Sequence, residues 1–155
     1  MEPSTMVALS KAGGVAALGL AAVGSAIGAG LGGAAAIGGW KKCYAQNKAA
    51  PFILVTFIGA PLSQTIYGMI LMNWMIEAAK DPVILANSWA TMLIGGIFAG
   101  MGIGVSAWFQ GFVGAAGADA LAETGQGFGN YLLTLGILET VALFVLVFVR
   151  AAFMT

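Results

Sequence analysis

The chain has 155 residues, 60% of them hydrophobic and only 8% charged, where a soluble domain carries about 25% charged residues. Six acidic and six basic side chains cannot cover a water-soluble globule of this size, and no amphipathic pattern hides the apolar residues in one core. Zero net charge without a basic patch argues against a nucleic-acid partner, and the absence of His with a single Cys argues against a zinc or haem site. The remaining solvent is the lipid bilayer. A hydrocarbon core of roughly 30 Å takes about 20 apolar residues per helix, which leaves room for four spans and short loops.

In chain order, Glu2 stands where a secretory signal would be basic, so the first apolar run is expected to be a retained helix. The charges then mark the spans. Residues 1–81 read as a first helical hairpin, with a first helix at about 12–39 and a second at about 52–77. Lys11 precedes the first helix and Lys41, Lys42 and Lys48 follow it; Glu77, Lys80 and Asp81 end the second. Residues 82–155 read as a second hairpin, with a third helix at about 87–121 and a fourth at about 128–152. Gly125, Gly127 and Gly129 mark the turn between them. Cys43 reads as an incidental loop residue. Short loops make neighbouring helices antiparallel, so the fold class is an all-α membrane protein of two tandem hairpins.

The first helix holds ten Gly and ten Ala between Ala12 and Gly39. Gly24, Gly28 and Gly32 fall four apart and form a small-residue stripe that lets backbones approach closely in lipid. Such a helix offers little apolar bulk to lipid and is expected to sit inside an assembly, wedged among copies of itself. The third helix repeats the theme at Gly96, Gly100 and Gly104, while the second and fourth carry bulky residues suited to an outer layer. The two hairpins thus resemble a duplication. Setting Leu62 against Glu139 gives the first hairpin a leucine where the second has a glutamate.

Glu139 interrupts the apolar run GILETVALFVLVFV, eleven residues after Phe128. At about 1.5 Å per residue it lies roughly 16 Å deep, near mid-bilayer. An ionisable group there is costly and is a functional candidate; the bland account is a protonated carboxyl bonded to a neighbouring helix. Gln64 lies twelve residues past Phe52 and Gln110 eleven before Leu121. Measured from the hairpin-loop side, Gln64, Gln110 and Glu139 therefore share one depth. Ser63 and Tyr67 are one turn apart on one face. Pro61 cannot donate to the carbonyl of Phe57 and should kink the second helix, freeing carbonyls such as that of Ala60. The donors are then all oxygen, which suits a hard cation. Five converging oxygens exceed what a proton needs and favour Na⁺, with H⁺ as the alternative.

These segments resemble a known family. GSAIGAGLGG from Gly24, PLSQTIYG from Pro61, FQGFVGAAG from Phe109 and LET from Leu138 look like the ring-forming proteolipid of V-type rotary ATPases, the K or c subunit, and especially its sodium-dependent bacterial members. The resemblance implies a homo-oligomeric ring that turns against a stator subunit with an arginine and engages central-stalk subunits. The chain itself would be non-catalytic, moving Na⁺ across the cell membrane while ATP chemistry occurs elsewhere. The resemblance also implies an ion site of Glu139, Gln110, Gln64, Ser63 and the Ala60 carbonyl, with Tyr67 stabilising the glutamate. Both hairpin loops would be cytoplasmic. The loop from Lys41 to Lys48 is more basic than the family leads one to expect, and either docks an acidic stalk surface or is simply solvated. A small four-helix ion transporter or channel with a Glu139 site is the rival reading. Such transporters usually show inverted repeats with broken helices, whereas the repeat here looks parallel.

Overall fold

The computed structural model describes residues 1–154. Pro3 occupies the first turn of a long helix, where a missing backbone N–H costs nothing. Four helices long and apolar enough to cross a membrane follow: α1 Pro3–Ala45, α2 Phe52–Ala78, α3 Pro82–Thr124 and α4 Phe128–Met154. No strand occurs among the described residues. Two helix ends show their cause in the sequence. At the start of α3 the Asp81 carboxylate accepts from the N–H groups of Val83 and Ile84, with Pro82 behind it. At its end Gly125 takes φ 66°, the left-handed conformation that stops a helix at least steric cost.

α1 and α3 have 43 residues each, against 27 for α2 and α4. At about 1.5 Å per residue the long pair reaches roughly 65 Å, well past a bilayer core of about 30 Å. The helices therefore extend beyond the apolar runs that define the spans, and Lys41 and Lys42 lie on helix rather than in a loop. There Lys42 Nζ donates to Asp119 (2.7 Å) and Glu123 (2.9 Å), tying the ends of α1 and α3 together. Cys43 is likewise helical and buried, its Sγ 3.7 Å from the Ala122 carbonyl. The loop that follows is held by Trp40, whose indole N–H donates to the Pro51 carbonyl. At the opposite end the Arg150 guanidinium lies 4.5 Å from the Trp74 ring centroid, linking α4 to α2.

The core of the molecule is the α1–α3 contact, and glycine permits it. A Cβ on Gly24 would run into the backbone of Gly104, one on Gly111 into that of Gly28, and one on Gly96 into that of Gly13. A Cβ on Gly32 would meet the Phe57 carbonyl of α2. The stripe expected to pack copies of the chain together is thus occupied inside a single chain. Small residues specify close approach without specifying the partner, which is why the stripe alone points equally to either. Another face of α1 stays open. Gly19, Gly30 and Gly38 have no neighbouring atom where a Cβ would stand, and Val15, Val23, Ile27 and Ile37 are exposed.

α2 is the irregular helix. It runs as a 3₁₀ turn over Phe52–Leu54, α-helix over Val55–Gly59, a second 3₁₀ turn over Ala60–Leu62, and α-helix again over Ser63–Ala78. The second break falls on Pro61, which lacks the N–H that would continue the ladder. Breaking the helix there turns Ser63 and Gln64, the first residues of its longer half, toward α3 and α4.

Candidate functional site

Three helices contribute to one polar layer. Gln64 (0% exposed) and Gln110 (1% exposed) are fully buried, so their amides must be paired within the protein. Gln64 Nε2 donates to Gln110 Oε1 at 2.9 Å, and Gln110 Nε2 donates to the Leu135 carbonyl of α4 at 3.0 Å. The chain of bonds therefore runs from α2 through α3 to α4. Interhelical bonds of this kind are worth about 0.6–2 kcal/mol each in a membrane. Ser63 Oγ lies 3.2 Å from the Ala60 carbonyl and 3.1 Å from Gln64 Oε1. Its one proton serves one of these at a time.

Glu139 is half-buried on α4. The Tyr67 hydroxyl donates to its Oε1 at 2.5 Å. Glu139, Ser63, Gln110 and Ala60 also line one cleft of about 900 Å³ between α2 and α4. The cleft extends past Gly59 and Thr56 to Phe52, the first residue of α2 on the hairpin-loop side. Gly59, Ala60 and Gly136 are small residues in its lining.

The structure brings together all six residues singled out from the sequence. Glu139, Gln110, Ser63 and Ala60 meet in the cleft, Gln64 backs it through Gln110 and Ser63, and Tyr67 grips the carboxylate. The Ala60 carbonyl lies at the 3₁₀ break beside Pro61. Gly24, Gly28 and Gly32 are packing residues of α1 against α2 and α3.

Sequence reasoning missed Ser106. Its Oγ donates at 2.7 Å to the carbonyl of Leu138, the residue before Glu139. With Gln110 bonding Leu135 one turn along, two side chains of α3 fix the rotation of α4 at the glutamate. The signal was present: Ser106 lies four residues before Gln110, on the same helix face.

Fold and site together define a multi-pass helical membrane protein with one carboxylate, Glu139, bonded by Tyr67 and sharing a cleft with Ser63, Gln110 and Ala60. Residues 90–149, most of α3 and α4, match the family model of the ATP synthase C subunit. The match takes in Gln110, Ser106 and Glu139, and covers about two-fifths of the chain. No curated protein matches the chain in sequence.

Proposed function

We propose that this chain is a rotor-ring subunit of a rotary ATPase or ATP synthase membrane sector, of the V-type K or c kind, and that its cargo is Na⁺ bound at Glu139. The observation that carries the reading is the Glu139 carboxylate, bonded by Tyr67 and lining a cleft whose other polar side chains are neutral. One carboxylate balances one unit charge. A bound monovalent cation therefore leaves a neutral site that can move through lipid, whereas a divalent ion would leave a net charge in the hydrocarbon. Glu139, Ser63, the Ala60 carbonyl and the amide oxygens of Gln64 and Gln110 would supply the ligands.

The match of residues 90–149 to the ATP synthase C subunit supports the rotor reading, as does the open small-residue face of α1. In that role identical subunits form a ring in the cell membrane. Each glutamate is emptied beside a stator arginine, and the hairpin loops meet the central stalk on the cytoplasmic side. Moving one charge across the membrane is worth about 2.3 kcal/mol per 100 mV, which couples each loaded site to torque. ATP hydrolysis or synthesis then belongs to other subunits.

One observation favours H⁺ instead. Both glutamine amides have protein partners without any ion, so an interhelical polar chain alone accounts for them. Carbodiimide modification of Glu139 separates the two readings. The reagent attacks the protonated carboxyl, and a bound cation displaces that proton. Sodium cargo predicts a modification rate that falls with Na⁺ at fixed neutral pH. A rate that follows pH alone would make it a proton site.

A further inference from the structure

Ser25 carries the one buried side-chain polar atom without a hydrogen-bond partner among the described residues. It is 2% exposed and lies in the middle of a transmembrane helix, where an unmade hydrogen bond is expensive. A buried serine on a helix commonly bonds back to the carbonyl one turn earlier. Ser10 does so to Met6, and Ser106 finds the Leu138 carbonyl. An orphan hydroxyl therefore calls for a partner that the protein alone does not supply.

Helix register says what it faces. Ala21, Ser25, Gly28 and Gly32 recur at spacings of four, three and four, so they share one face of α1. The contacts of that face with α2 run in order. Gly68 meets Ala21, Gly28 meets Pro61, and Gly32 meets Phe57. Ser25 lies between the first two contacts, and so faces the stretch of α2 between Pro61 and Gly68. The fully buried side chain in that stretch is Gln64. Gln64 Nε2 uses one of its two N–H groups on Gln110, while its Oε1 turns to Ser63. A hydroxyl with no partner and an amide with a spare donor thus lie on the facing stretches of α1 and α2.

We propose that Ser25 is a positioning residue for the ion site: it accepts the second N–H of Gln64 through one buried water. A water needs two or more polar partners to be held in such a place, and these two groups supply them. The bridge keeps Nε2 turned toward α1 and Gln110, and so keeps Oε1 turned toward Ser63 and the cleft. The reverse orientation would present two N–H donors to a cation. Ser25 then acts on Na⁺ affinity through Gln64, without touching the ion.

This inference rests on the sodium reading of Glu139, and one experiment separates the two. Carbodiimide modification of the purified full chain is measured against Na⁺ at fixed pH for wild type, Ser25→Ala, Gln64→Leu and the double variant. Loss of one neutral hydrogen bond predicts that Ser25→Ala needs about three- to tenfold more Na⁺ for half-protection, with the rate in the absence of Na⁺ unchanged. In the Gln64→Leu background the same substitution should add nothing. An unchanged Na⁺ curve for Ser25→Ala, with wild type protected, overturns the proposal and leaves the sodium site standing. Equal weakening in both backgrounds also overturns it, because Ser25 would then act by packing. No Na⁺ protection of wild type overturns both. If Ser25→Ala fails to fold, Ser25→Gly serves in its place, and failure of both overturns the proposal by making Ser25 a packing residue.

Discussion

Gln110→Leu is the most informative perturbation of the polar layer, because Gln110 sits at its centre. The substitution keeps the side chain's approximate bulk and removes its amide. It deletes the acceptor of Gln64 Nε2 and the donor to the Leu135 carbonyl, and it takes one oxygen from the cleft. Two consequences follow, on different scales. For the fold, two interhelical bonds at about 0.6–2 kcal/mol each and a stranded Gln64 amide at about 1–3 kcal/mol lower thermal stability. For the ion, losing one neutral ligand at about 1–2 kcal/mol weakens Na⁺ protection of Glu139 about five- to thirtyfold. The assay is the carbodiimide rate against Na⁺ at fixed pH, with detergent melting measured beside it. Reduced stability with a Na⁺ curve that superimposes on wild type would refute the reasoning. Gln110 would then be an interhelical tie and no part of the ion site.

The remaining substitutions probe separate parts of the molecule. Glu139→Gln should abolish ion-coupled ATPase activity while assembly proceeds, as checked by native mass and activity in vesicles; normal coupling would exclude Glu139 as the carrier group. Gly28→Leu should cripple the fold of the chain itself, because its Cβ position already meets α3, and expression with a near-native melting curve would contradict the packing. Gly30→Leu should leave the chain folded, since nothing stands at its Cβ position, but should weaken ring contacts. Intact rings from that variant would show that the open face of α1 meets lipid instead. Lys42→Ala should change stability little, because Lys42, Asp119 and Glu123 are about half-exposed and such pairs are screened. A large fall in melting temperature would make the clasp a real tie.

Much of this was legible in the residues. Four apolar runs gave four helices, Pro61 gave the break in α2, and counting from Phe52, Leu121 and Phe128 placed Gln64, Gln110 and Glu139 in one layer. Counting fixes depth but not direction. It could not say that Gln64 bonds Gln110, or that Gln110 reaches the Leu135 carbonyl, because a backbone acceptor leaves no mark in sequence. Ser106 shares a helix face with Gln110, but its bond to the Leu138 carbonyl is hidden by the same limit. The helix ends were underestimated, because hydropathy reports the lipid boundary while α1 and α3 continue as helix into water. Cys43 and Lys42, read as loop, are helical for that reason. The Gly24–Gly28–Gly32 stripe announced a close helix contact, yet the same small atoms suit α3 of the same chain or α1 of another. Only the packed structure distinguishes them.

The central claim is that this chain works as one copy in a ring, and the mass of the intact assembly in mild detergent tests it most directly. A four-helix chain with its small-residue core already satisfied could be complete as a monomer. A rotor instead requires many copies, closed by the open face of α1 around Gly19, Gly30 and Gly38. Native mass spectrometry of the purified protein should show one stable species of many 15.7 kDa subunits, unchanged on dilution and lost in Gly30→Leu. A wild-type protein that is monomeric or dimeric under conditions that preserve its helices would contradict the rotor reading and favour a small transporter with a Glu139 site.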